Sequence, residues 1–377
     1  MEFLLLTSFA EVMGYVGYIA IALLVLLAMI TVHEFGHYIA GKIFGFGIEE
    51  FAIGFGPKLF KKKSKKTGEL FSIRLLPLGG FCAFKGEDAD DDDPTAFNNK
   101  KPWQRIIVLI SGAFMNYLLA LVLIMIMFFS YGQTMLMTYK VEPTNDPLYT
   151  AENSFCDRDV IFSVNGKNVY LTTDLMSAIG GKKAGDTVKA VVRRGGEYKT
   201  LDLILRADTD FHNVEQNDKL FAALGIFMEK DSETGQILDS GLYSTGVRLG
   251  FFQTVGKSFE YSFKLAGSIF TVLGQLLTGA LGISSIGGTF TTISITATAI
   301  KVGGIRNLLN IASLIGVNLA VFNLLPVPAL DGARVVFTFI EWIRKKPLNR
   351  RVEGIIHTVG LVLIMLFAIV IDLQQCF

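Results

Sequence analysis

The sequence predicts a polytopic α-helical membrane protein with four transmembrane helices, a membrane-associated β-hairpin-like loop and a small extracytoplasmic α+β domain. Three observations predict it. Of the 377 residues 51% are hydrophobic, and four apolar runs approach the roughly 20 residues that a helix needs to cross hydrocarbon. Lys and Arg gather in the short connections after the first and third runs. A central stretch replaces long apolar runs with strand-like segments closed by Asn-Gly and Gly-Gly turns.

The runs are Val12–Val32, Ile106–Tyr139, Leu308–Leu330 and Ile355–Ile371. The first has no basic leader and no small-residue cleavage site, so it reads as a retained helix rather than a cleaved signal. Lys42, Lys61–Lys63, Lys65 and Lys66 follow it, Lys100, Lys101 and Arg105 precede the second run, and Arg344–Lys346, Arg350 and Arg351 separate the third from the fourth. The positive-inside bias then puts both short connections in the cytoplasm and the segment from about 140 to 305 outside. Leu265–Ile300 is also uncharged but rich in Gly, Ser and Thr. Before it, Lys257, Glu260 and Lys264 share a helical face opposite Phe252, Val255, Phe259 and Phe263, the pattern of an interfacial helix.

The expected divisions are residues 1–47 (first helix), 48–102 (hairpin-like loop and acidic linker), 103–138 (second helix), 139–206 (α+β domain), 207–305 (amphipathic segment) and 306–377 (third and fourth helices). In the loop, Glu50–Phe60 and Glu69–Phe84 read as strands around a Lys-Lys-Thr-Gly turn, and Asp88–Asp93 as a solvated acidic patch. In the domain, Asp159–Gly166 and Val188–Arg194 read as strands and Asp174–Ile179 as a short helix. Net charge is +1, which argues against nucleic acid as a partner. Cys82, Cys156 and Cys376 have no metal-ligand or disulfide spacing.

The chemistry-bearing motif is His33-Glu-Phe-Gly-His37, at the end of the first run. Four residues apart on a helix, His33 and His37 share a face and can bind one metal ion. Glu34 lies about 100° round the helix, where it reaches a water beside the metal and serves as a base. Ionisable groups at the end of an apolar span are costly and mark function. A third ligand is required, and the candidate is Asp331, in Asn323-Leu-Leu-Pro-Val-Pro-Ala-Leu-Asp-Gly332. His212, in a polar outward segment, and His357, at the start of the fourth run, are the other histidines and read as structural.

Together HEFGH, the N-x-x-P-x-P-x-L-D-G stretch and the outward domain resemble the site-2 protease family, most closely its bacterial RseP-like branch of intramembrane zinc metalloproteases. Phe55-Gly-Pro57, Leu76–Phe81, Gly86-Glu87 and Phe97–Arg105 fit the same family's order. The outward domain resembles a single PDZ domain, with Ser154–Asp159 in place of the usual Gly-Leu approach. The resemblance implies zinc held by His33, His37 and Asp331, with Glu34 as general base. Asn323 and the Pro326 region would hold the substrate, the hairpin edge would pair with its unwound segment, and Asn116 matches a family Asn expected to serve helix packing. The implied partners are the lipid bilayer and single-pass membrane proteins such as anti-sigma factors or remnant signal peptides, in a bacterial cell membrane. Departures are Ala113 where the family usually has Pro, Ala333 where a second Gly is common, and Ile283–Gly288 without the expected Pro. Against this stand a PDZ-bearing scaffold without catalysis, which has no need of Glu34, and a zinc transporter, which would want more ionisable residues along its spans.

Overall fold

The computed structural model describes residues 9–87, 91–211, 216–230, 237–279, 289–346 and 348–376. His212, part of the acidic patch and the Ile283–Gly288 stretch lie outside them. The chain forms two compact units, one of residues 1–126, 262–274 and 282–377, the other of residues 127–261 and 275–281.

The first unit opens with α1 (Phe9–Ile43), continues through β1 (Ile48–Lys63) and β2 (Leu70–Phe84), and enters α2 (Pro102–Tyr131). The two strands fold back on themselves. Residues 50–53 of β1 pair with 80–83 of β2 on one side and with 70–73 on the other, while 58–63 pair with 70–74. A four-segment sheet results, in the order 58–63, 70–74, 50–53, 80–84. The reversal uses Gly54, Gly56 and Gly79, all at positive φ, which only glycine adopts at little cost. This is the physical role of the Phe-Gly-Pro and Leu-Gly-Gly motifs. Phe46, Ile48, Cys82 and Phe84 fasten the sheet to Ala40 of α1 and to Val108 and Leu109 of α2.

The second unit is built on a sheet of β3 (Gln133–Thr138), β4 (Val160–Val164), β5 (Lys167–Asn168), β6 (Thr187–Arg194), β7 (Glu197–Ile204) and β10 (Leu242–Val247), ordered β10-β3-β4-β6-β7 with β5 on β4. Helices α3 (Thr172–Ile179) and α4 (Gln216–Leu224) and a hairpin of β8 (Met228–Lys230) and β9 (Ile237–Ser240) complete it. Ile161, Val164, Leu175, Ile179, Ala190 and Leu203 form its apolar core. The Asn165-Gly166 turn has positive φ at both positions, as a tight hairpin requires. Arg194 grips the buried Asp159 through two bonds of 2.7 and 2.6 Å.

The chain then forms α5 (Phe251–Leu277), α6 (Thr289–Asn323), α7 (Asp331–Arg344) and α8 (Arg350–Cys376). Among the described residues, four helices have the length and apolarity to cross a membrane: Met13–Ile43, Pro102–Tyr131, Thr292–Asn323 and Arg351–Leu373.

Four boundaries differ from the sequence reading. The second helix ends at Tyr131, because Gly132 at φ +84 turns the chain into β3, so the sheet starts inside the run assigned to 103–138 and takes a strand from beyond 206. Hydropathy does not separate a buried strand from a helix. The third helix starts at Thr289 rather than near 306, breaks its helical dihedrals at Gly304 and stops at Asn323, short of Leu330. Pro326 and Pro328 cannot prolong it. Asp331 therefore opens a further helix, α7, instead of closing a span.

Buried at the start of α2, Arg105 donates to Glu341 of α7 at 2.6 Å, with both side chains about 5% exposed. The pair fixes α7 against α2, and the Leu348 N–H adds a bond to Glu341 at 2.9 Å. Removing one partner of a buried pair typically costs about 3–5 kcal/mol. Glu341→Ala should therefore lower the thermal unfolding midpoint in detergent markedly, and the double replacement Arg105→Met with Glu341→Met should lower it less.

Candidate metal centre

His33, Gly36 and His37 share the face of α1 that packs on α2. At Gly36 a Cβ would collide with the Ser111 carbonyl, and at Gly112 with both imidazole rings. Glycines at these two points let the helices approach until the histidines lie against bare backbone. Gly316 of α6 repeats the device, its Cβ position 3.0 Å from Ala120 and 3.4 Å from the Met29 sulfur.

Asp331 reaches the histidines from the first turn of α7. Its Oδ2 lies 2.9 Å from His33 Nε2 and 3.4 Å from His37 Nε2, and the two nitrogens are 3.1 Å apart. Ligand atoms on a tetrahedral zinc, about 2.0–2.1 Å from the ion, stand about 3.3 Å from one another. The spacing fits, and so does the chemistry: two imidazole nitrogens and one carboxylate leave a fourth position for water. His37 Nδ1 donates to the Val108 carbonyl at 2.8 Å, which leaves Nε2 with its lone pair toward the cluster. Next to the pair, Glu34 accepts a bond from the Cys82 N–H of β2 at 3.0 Å, so its carboxylate is oriented by the hairpin. A cavity of about 300 Å³ opens between Ile30, Glu34, Leu319, Asn323 and Leu330.

His33 Nδ1 has two amides beside it, Asn116 and Asn323, each with its nitrogen 3.4 Å away. Asn116 is fully buried and its oxygen has no partner among the described residues. Amide oxygen and nitrogen are exchanged by a simple flip. Flipped, Asn116 accepts from His33 Nδ1–H, the proton that a metal-binding Nε2 requires on the other nitrogen. The sequence reading gave Asn116 a packing role; its spacing of four from Gly112, on the same helix face, was the available signal.

The Asp331 turn is held from α8. His357 Nδ1 accepts the Ala329 N–H at 3.0 Å, and Ala329 has φ +79, a conformation that disfavours a residue with a Cβ. One turn on, Gly360 leaves no room for a Cβ beside Pro328. At Gly332 a Cβ would strike the Leu324 and Leu325 carbonyls, which explains the Asp-Gly pair. Sequence reasoning took His357 as structural; that an ionisable group opens the fourth span was the signal that it holds something. Pro326 is exposed in the turn and does not line the cavity, whereas Asn323 does.

A histidine pair and an adjacent glutamate on one membrane-length helix, joined by an aspartate from a distant helix, define the class of an intramembrane metallopeptidase. The chain belongs to peptidase family M50, whose model matches residues 21–367. It is 32% identical to a Clostridium perfringens protein provisionally named a zinc metalloprotease, over 95% of this chain and 98% of that one. It is 26% identical to the zinc metalloprotease RasP of Bacillus licheniformis, over 94% and 98% of the two chains. The regulator of sigma-W protease RasP of Bacillus subtilis is 26% identical over 93% and 96%.

Gly112→Ala should keep the helical content and lose most of the bound zinc, because the new methyl displaces both imidazoles. Elemental analysis beside circular dichroism checks it. His357→Ala should weaken zinc retention through the loosened turn, and His357→Asn, which keeps an acceptor, should restore part of it.

Proposed function

We propose that this chain is a zinc endopeptidase that hydrolyses peptide bonds within the membrane-spanning segments of single-pass proteins. The observation that carries the reading is the meeting of His33, His37 and Asp331, from elements nearly 300 residues apart, with Glu34 beside them (His33 to Asp331 is a separation of 298). His33, His37 and Asp331 hold the zinc. Bound there, zinc supplies a Lewis acid for the scissile carbonyl and an acidified water. Glu34, oriented by the Cys82 N–H, takes the proton of the attacking water and returns it to the leaving amine. His37 is held by Val108 and His33 by Asn116, so neither ring has to reorganise during the reaction.

Hydrolysis needs an extended substrate, since helical hydrogen bonds close the backbone around each carbonyl. Residues 80–84 form an edge of the hairpin sheet, and the Cys82 N–H ties that edge to Glu34. A substrate segment paired with this edge would lie extended next to the base. Asn323 lines the same cavity and binds the substrate backbone, with Ala329 and Leu330 of the turn that follows Pro326 beside it. The second unit is read as a PDZ-like module on the extracytoplasmic side, with the metal centre toward the cytoplasm. The basic connections after α1 and between α7 and α8 support that orientation. Substrates of the anti-sigma-factor or remnant-signal-peptide kind suit a site that accepts one unwound helix.

Glu34→Gln keeps the shape of the site and removes the base. Cleavage of a membrane-embedded model substrate should fall by about 10²–10⁴-fold, with zinc content unchanged. Full activity in that variant would eliminate the role given to Glu34, as would function of the kind a scaffold retains.

A further inference from the structure

We propose that the Lys61–Lys66 end of the hairpin is a docking surface for the anionic phospholipid headgroups of the adjoining leaflet. The proposal uses the multi-pass reading of the chain and is independent of its proteolytic activity.

Elsewhere on the sheet the cations are neutralised. Lys42 pairs with Glu69, and Glu50 takes both Lys58 at 2.9 Å and Arg74 at 2.8 Å. Burial raises the Glu50 carboxyl, but bonds from Ser72, Lys58 and Arg74 outweigh it and hold the group at about 2, so it stays ionised. Lys85 likewise pairs with Asp93. The Lys61–Lys66 segment is different. Lys61, Lys62, Lys63, Lys65 and Lys66 are all exposed, and among the described residues none has a carboxylate within ion-pair distance. Five uncompensated charges therefore sit within six residues.

Exposed apolar residues adjoin the basic segment. Leu59, Phe60, Ile73 and Leu75 are exposed beside the lysines, Phe60 to 70%, and Phe60 pairs across the strands with Ile73. Such residues beside free lysines suit the boundary between headgroups and acyl chains, with lysine stems along the apolar surface and ammonium groups among phosphates. The covalent path agrees: β1 begins a short turn after the candidate span Met13–Ile43 ends. Lysines also discourage strand addition at a sheet edge, but Lys65 and Lys66 lie in the turn and pair with no strand.

The test uses the full chain in nanodiscs of neutral phosphatidylcholine, with or without phosphatidylglycerol. Amide hydrogen exchange is followed over residues 58–76, in the wild type and in a variant with the five lysines changed to Gln. Each lysine near an anionic surface is worth about fivefold in partition, so phosphatidylglycerol should slow exchange in the wild type by at least about that factor. The slowing should vanish in the Gln variant, shrink in high salt and survive when the five are changed to Arg. Exchange in β4, β6 and β7 reports whether each variant is folded. Equal exchange in the two lipids, or slowing that persists in the folded Gln variant, would overturn the proposal. So would slowing in neutral nanodiscs produced by inorganic phosphate or by an acidic peptide, which would assign the lysines to another ligand. Self-association of the Gln variant without any lipid dependence would reduce them to edge protection and overturn it too.

Discussion

Ionisable side chains at the end of an apolar helix are stable only where each finds a partner, and the first unit is organised around that constraint. A lone carboxylate or imidazolium at membrane depth costs several kcal/mol. Here His33, His37 and Asp331 lie within reach of one another with Glu34 beside them, and the two histidines and Glu34 each have a further bond with backbone or amide. α2 and the hairpin contribute those bonds, and the proline turn leads into the helix that carries Asp331. The site and the fold are therefore one structure, and loss of a supporting bond affects both.

Close approach makes the bonds possible. Membrane helices gain little from the hydrophobic effect when they associate, so contact depends on small residues at the interface. Gly36 and Gly112 bring α1 onto α2 at the metal centre, Gly316 brings α6 onto both, and Gly360 brings α8 onto the Pro328 turn. The Arg105–Glu341 pair then fixes α7, whose first residue is Asp331. Asp331, nearly 300 residues from the histidines, is thus held by packing along its own short helix.

What could be read in the sequence was what depends on local pattern. HEFGH put two histidines and a glutamate on one helix through its spacing, and Asn165-Gly166 declared a turn that the backbone adopts. Asp331 could be picked out because a carboxylate in an apolar stretch has few roles. What escaped depends on distant partners or on competition between elements. β3 could not be told from a continued helix because Gln133–Thr138 brings no charge to end the run, and the decision falls to Gly132. The folding back of the hairpin, the hold of His357 on Ala329 and the place of Asn116 behind His33 are tertiary facts, visible only as unexplained Gly, His and Asn residues in apolar surroundings.

The central claim is that one metal ion is held by His33, His37 and Asp331. Zinc X-ray absorption spectroscopy on the detergent-purified full-length protein tests it most directly. The predicted spectrum has a shell of nitrogen and oxygen scatterers at about 2.0–2.1 Å with the outer-shell signature of two imidazoles, reduced in Asp331→Asn and not in Cys82→Ser. A sulfur shell near 2.3 Å, or the signature of a single imidazole, would contradict it.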